Sequence, residues 1–368
     1  MPNPDAPNPD APNPFAPGTE ALDRYWAVRR SVALTRADHV SALRISGEEA
    51  FEALDQQCSA DLYLLDGKMC HTFLLDDEAK PVADVYVGRD DEDYLLLSEG
   101  LESEAIASRI LSYEGDVSVE ALDATHGRLQ LDGPYAWELT SDLVGPEVPS
   151  LPYSTFMHVE GGLCFRGGKT GEYGYLLLLE REQAEATFAA CVERGERYDL
   201  RTVDLETLDR CALENGFFSI REHAPRGATP IELQQQWRVS YRKRYVGSTT
   251  LEQRYEQGPR FRSTAILSSA PLRRGAKVSL DDSTIGEVYA ATYSPGRDQW
   301  VGMAALDPRY AYPGVDQYLI ENEDGLAPIT THSLPLLQNH SLSVDPRRHA
   351  YATRDELVLP PLVIEVGL

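Results

Sequence analysis

GGLCFRGGKTGEYGY, residues 161–175, sets glycines and a threonine around a single carboxylate, Glu172, and the apolar run Tyr175-Leu176-Leu177-Leu178-Leu179 leads away from them. Glycine is used where a backbone takes φ > 0 or passes close to another group. The pattern predicts a hairpin with a tight loop, and a carboxylate fixed in such a loop offers two parallel acceptors to a ligand edge. A phosphate-binding loop is excluded by spacing. G-x-x-x-x-G-K-T requires a glycine where Leu163 stands.

Working outward, HGRLQLDG (126–133) reads as a strand, PYAWELTSDL (134–143) as a helix, and EREQAEATFAACVERG (180–195) as an amphipathic helix with a glycine stop. A similar order precedes it. A helix is predicted from Thr19, its N-cap, to Val32, followed by the strand VSALRIS (40–46) and a helix starting at Gly47. HTFLLDD (71–77) and PVADVYVGR (81–89) read as paired strands, DEDYLLLSEG (91–100) as a third, and Leu101–Leu111 as a helix. The repeated order predicts an α+β fold of two related, ferredoxin-like units, about 19–120 and 121–262. From Thr264 onward the short strands AILSS, KVSL, EVYAATYS, WVGMAAL, YLIEN and LVIEVGL are separated by Gly, Pro and Asp, which predicts a small all-β barrel over 263–368. Residues 1–18, with PNPDA twice and then PNPFA, read as a Pro-rich disordered tail.

At 368 residues the chain is long enough for two or three packed domains. It holds 59 acidic and 34 basic residues, for a net charge of −25, and its lysines are Lys68, Lys80, Lys169, Lys243 and Lys277. Such a surface repels phosphate backbones and anionic lipid, so neither nucleic acid nor membrane is expected as a partner. No apolar run approaches a membrane span, and the Pro-rich start does not resemble a secretory signal, so a cytoplasmic protein is expected. Cys58, Cys70, Cys164, Cys191 and Cys211 are odd in number and widely spaced, and the histidines form no H-x-x-x-H pair. Reduced thiols and no metal site are expected.

Several stretches together resemble one family. RGGKTGEYGY (166–175) is similar to the R-T-G-Y-T-G-E-D-G-F signature of the glycine cleavage T-protein, or aminomethyltransferase, family. LRISGEEAFEAL (43–54), preceded by His39, resembles a second segment, and Thr72 twelve residues before Asp84 fits a third. LDRCALENGF (208–217), TPIELQQQWRV (229–239), RKRYVG (242–247) and IGEVYAATYSPGRDQWVGMA (285–304) follow in the family's order. The resemblance implies a folate-binding α+β core followed by a C-terminal β-barrel, with tetrahydrofolate as cofactor and a one-carbon unit as cargo.

The resemblance also implies roles. Glu172 matches the glutamate that holds the pterin, whose adjacent N–H groups suit a carboxylate. Asp84 matches the aspartate near folate N10, where it takes an amine proton or stabilises a cationic centre. Tyr94 and Trp237 match aromatic residues lining the folate pocket. The chain departs from the family at Ala83, Ala79-Lys80, Asp76, Ser98 and Lys169, and Ala212 stands where the family has a folate-contacting arginine. Arg210, two residues away, lies on a different helix face. These departures point to a tetrahydrofolate-dependent transferase that exchanges a methyl or aminomethyl group with a small-molecule donor. The alternatives are the aminomethyltransferase of the glycine cleavage system and a non-catalytic folate-binding accessory protein. A lipoyl carrier protein, usually acidic itself, is not expected as partner.

Overall fold

The computed structural model describes residues 15, 18–323 and 325–363. Two sheets form the core. One has five strands, in spatial order Met69–Leu75, Pro81–Asp90, Asp93–Glu99, Ser41–Ser46 and Ser118–Ala121. The other has six, in the order Arg201–Thr202, Ala33–Arg36, His126–Asp132, Gly174–Glu180, Gly162–Arg166 and Thr155–Val159. Helices cover the outer face of each, and the inner faces meet.

Strand alternation explains this layering, because successive side chains point to opposite faces. In PVADVYVGRD, Ala83, Val85 and Val87 join Leu43, Ile45 and Leu96 under the helices Ala50–Gln57 and Ser103–Ile110. In the six-stranded sheet, Leu129, Leu131, Tyr175, Leu177 and Leu179 pack on the outer side against Ala184 and Cys191 of the helix Arg181–Gly195. The opposite parity supplies a third cluster, with Met69, Leu95 and Leu97 of one sheet against Phe165, Leu176 and Leu178 of the other. That cluster holds the sheets together.

The division into units at residue 120 is corrected. Ala33–Arg36 pairs antiparallel with His126–Asp132 and parallel with Arg201–Thr202, so the helix Glu20–Arg30 and this strand complete the second sheet. Its four residues, ALTR, are too few to show a period. Thr19 caps the helix as expected, its Oγ1 accepting from Leu22 N–H at 3.4 Å.

The C-terminal region closes a six-stranded barrel in the order Arg262–Ser268, Gln299–Leu306, Ser283–Ser294, Lys277–Leu280, Tyr318–Asn322 and Gly325–His332. Its last strand escaped the sequence reading because Pro328, opposite Leu319, interrupts the pattern. Among the described residues the last barrel strand ends at His332. After His332 the chain returns to the core, where Val344 and Tyr351 pack with Tyr135 and Tyr198. Of the expected strand LVIEVGL, Leu362 and Val363 are outside any strand and 364–368 lie outside the described residues. Residues 1–14, 16 and 17 also lie outside them. Phe15 does not behave as free tail: it is buried, 4.1 Å below the Arg210 guanidinium and stacked on Tyr293.

Among the described residues no helix is long and apolar enough to cross a membrane. The five cysteines are unpaired.

Candidate active site

Beside the cluster that joins the sheets, a cleft opens. Its apolar walls include Val40, Leu97, Phe165 and Leu176, with Tyr86 at one side. Its polar lining comes from strand ends and from the loop of the predicted hairpin. Tyr175 pairs with Arg166 across that hairpin, which leaves residues 167–173 as the loop. Gly171 takes φ +84° there and passes so close to Asn215 that an added Cβ would lie 2.6 Å from its Oδ1. Lys169 and Thr170 line the cleft from this loop.

Asp84 is buried, 3 % exposed, and lies among three partners. Arg238 donates to Oδ1 in a close ion pair, and Lys169 Nζ is 2.7 Å from Oδ2 but off the alignment of a hydrogen bond. His71 Nε2 is 2.6 Å from Oδ1. Burial alone would raise the Asp84 pKa, but Arg238, Lys169 and His71 together outweigh it and hold the carboxyl well below its usual range. Burial in turn lowers His71 to about 4, so its ring is neutral at pH 7 and Nε2 carries the proton it donates to the carboxylate. The ring stacks on Tyr86 at 4.0 Å. An aspartate held this firmly ionised is a poor proton acceptor and a good counter-ion.

The charges continue in an alternating chain. Lys169 Nζ also reaches Glu99 Oε1 at 2.5 Å, Glu99 Oε2 pairs with Arg221 at 2.5 Å, and Arg221 pairs with Asp209 at 2.6 Å. Burial lowers the Lys169 pKa, yet Asp84 and Glu99 raise it further, and the ammonium stays charged. Three carboxylates and three cations therefore compensate one another, all of them lining the cleft except Arg238, which pairs with Asp84.

Asp132 stands apart from them. It is 2 % exposed, lines the cleft, and among the described residues is in no ion pair. Its Oδ1 accepts from Thr170 Oγ1 at 3.0 Å. Burial raises its pKa to about 6, opposed by hydrogen bonds from Thr170 and Gln130. The unfolded value, about 3.8–3.9, is lower, so folding favours the protonated acid. The fold carries no penalty below pH 4 and loses stability as the pH rises through 6. Asp132→Asn is expected to raise the unfolding free energy by about 1–3 kcal/mol at pH 7.5 and to leave it unchanged at pH 4. Denaturant titrations at the two pH values check this, and an equal effect at both would contradict it.

The other expected site residues lie elsewhere. Glu172 does not line the cleft. Its side chain is wholly buried behind the loop, where Oε1 accepts from His340 N–H at 3.2 Å and Oε2 accepts from Ser341 N–H at 2.8 Å and Ser341 Oγ at 2.7 Å. Arg29 lies 3.6 Å away. Tyr94 pairs with Ile45 and packs in the outer core, because the inner parity of its strand belongs to Leu95, Leu97 and Glu99. Trp237 is 69 % exposed; it meets the edge of the His71 ring, 6.4 Å between centroids, and the Arg238 guanidinium lies 5.8 Å from its ring centre. Tyr94→Phe is accordingly expected to leave ligand affinity within about twofold of wild type, measured by calorimetry, whereas a pocket-lining role would show as a loss beyond tenfold.

Ala212 does face the cleft, and the missing arginine is not replaced by Arg210. Arg210 turns to the barrel, bonding Thr292 at 2.9 Å and Glu206 at 3.1 Å. Sequence reasoning missed Arg221, Arg238, His71, Glu99, Asp132 and Asp209 as a group. Arg238 adjoins Trp237 inside a recognised motif, and the alternation of HGRLQLD places Gln130 and Asp132 on one face, so two signals were present.

Comparison with known proteins gives this arrangement a lineage. The GCVT N-terminal domain matches residues 10–243, and the glycine cleavage T-protein C-terminal barrel domain matches 262–338. The chain belongs to the glycine cleavage T-protein family. An aminomethyltransferase of Caldanaerobacter subterraneus is 25% identical over 305 residues, covering 80% of this chain and 82% of the relative. One of Chlorobaculum tepidum is 26% identical over 335 residues, covering 87% and 91%. The crystal structure of the glycine cleavage system aminomethyltransferase T from Bartonella henselae superposes with a TM-score of 0.76 at 21% identity, covering 86% of this chain and 89% of that one. The fold is shared. Identity this low leaves room for the altered cleft.

Proposed function

We propose that the protein is a tetrahydrofolate-dependent transferase that exchanges a one-carbon unit with a small-molecule donor inside this cleft. The observation that carries the reading is Asp84, an aspartate kept ionised by Arg238, Lys169 and His71 at the wall of an apolar slot between the two sheets. The cleft fits a flat heterocycle. Leu97, Phe165 and Leu176 offer apolar faces, and Asp132 offers a buried acceptor. Those residues would hold the folate ring.

When bound, folate supplies the nitrogen atoms that accept or release the one-carbon unit. The chain's own work is electrostatic. Asp84 stabilises positive charge that develops at the transferring carbon, in a site where water is excluded and a fixed carboxylate needs no reorganisation. Arg238 and the neutral His71 hold its Oδ1, and Oδ2 is left to Lys169. Because Lys169 lies on the hairpin loop, it can yield Oδ2 to an incoming cation while keeping Glu99.

Transfer of an aminomethyl group is a second reading, favoured by the relatives that bear the name aminomethyltransferase. Calorimetric titration with tetrahydrofolate tests the shared part, and absence of binding would remove both readings. Incubation with candidate donors and mass detection of 5-methyl- against 5,10-methylene-tetrahydrofolate then separates methyl from aminomethyl transfer.

A further inference from the structure

Within that folate reading, we infer that Asp132, rather than Glu172, is the carboxylate that pairs with the ligand's adjacent N–H donors, the amidine-like edge of a pterin-type ring. Four observations support it. Both oxygens of Glu172 are occupied by the His340 and Ser341 amides and the Ser341 hydroxyl, and its side chain has no exposure to the cleft. Asp84, Glu99 and Asp209 each have a cation, whereas Asp132 is in no ion pair among the described residues. A buried carboxyl without a cation is costly unless something completes it, and a ligand presenting two parallel N–H groups would do so with charge-assisted bonds.

Asp132 also lines the cleft, where its Oδ1 packs against the glycines of the loop: an added Cβ at Gly168 or Gly174 would sit 3.1 Å from it. Finally, Asp132 stands beside Gln130 on the same strand face as the apolar wall residue Leu176, which pairs with Gln130. A flat ring lying on Leu176 and Phe165 thus reaches Asp132 with its edge.

Binding through this group requires the ionised form. The charged and titratable groups that act on Asp132 are Arg166 on the strand Gly162–Arg166, one strand beyond Gly174–Glu180, Arg29 on the helix Glu20–Arg30 and Cys211 on the helix Leu205–Asn215, besides the hydrogen bonds from Thr170 and Gln130. Its titration near pH 6 places the change between about pH 5 and 7.

The experiment is calorimetric titration with tetrahydrofolate, under reducing conditions, of the wild type, Asp132→Asn and Glu172→Gln at several pH values across that window. The wild type should bind more tightly as the pH rises. Asp132→Asn should weaken binding by about ten- to a hundredfold at pH 7.5 and flatten the pH profile. Glu172→Gln should keep the profile and, per folded molecule counted by its unfolding transition, an affinity within about threefold of wild type. Wild-type affinity in Asp132→Asn, or a loss confined to a folded Glu172→Gln, would overturn the assignment and leave the folate reading intact. No binding by the wild type would overturn both.

Discussion

Arg29→Met is expected to lower the unfolding free energy by about 3–5 kcal/mol. Arg29 is fully buried and joins three parts of the chain that are distant in sequence. Its Nη2 pairs with Glu214 Oε2 at 2.5 Å, and its Nη1 donates to Thr170 O at 2.7 Å and Asn339 Oδ1 at 3.1 Å. Glu172 lies 3.6 Å from Nη1. Replacing a buried cation and its carboxylate partners together with apolar groups costs little, but removing the cation alone strands two buried carboxylates. Burial already raises the Glu172 pKa against the pull of Arg29 and the Ser341 bonds, so the variant should take up a proton there. Total stabilities of domains are about 5–15 kcal/mol, which makes this a large fraction. Denaturant unfolding followed by fluorescence reads the effect. Arg36→Ala, which breaks the exposed pair with Glu185, is the control and should cost no more than about 1 kcal/mol. An Arg29→Met midpoint equal to that of the control would refute the account.

Asp84→Asn should abolish most transfer activity, with a fall in kcat of about 10²–10³-fold. Asparagine keeps the size and one acceptor but has no charge to offer a developing cation. It also leaves Arg238, wholly buried, without its counter-ion, while Lys169 retains Glu99. Two readouts separate the consequences. The affinity for tetrahydrofolate, held by other residues, should change far less than the turnover measured with the donor that yields product in the mass assay. The unfolding free energy should fall by about 3 kcal/mol because of Arg238. A kcat within about threefold of wild type would remove Asp84 from the chemistry.

Much of the candidate site was legible because loops and strands announce themselves locally. The hairpin around Gly171 follows from glycine spacing, and Asp84 sits where the ordered motifs place it. The errors share one cause. A residue type at a motif position does not say which way its side chain points. Tyr94 is one place out of phase with Leu95 and Leu97 and so faces the outer core. Glu172 follows a glycine at positive φ that brings it toward residues 340 and 341, which come from the far end of the chain. Arg210 fails as a substitute for the absent arginine because its helix face meets the barrel.

Local pattern by itself determined the alternation of strands and helices and the α+β core followed by a barrel. Period and turn chemistry act over a few residues, so a sequence displays them directly. Only the tertiary structure decided that Ala33–Arg36 belongs to the second sheet, that the two inner faces enclose a cleft, and that Asp84, Lys169, Glu99, Arg221, Asp209 and Arg238 neutralise one another there. Those partners are separated by up to 154 positions, as between Asp84 and Arg238. Charge pairing at such separations is set by where the sheets meet, and Asp132, the carboxylate left without a cation, becomes visible only once the others have found theirs.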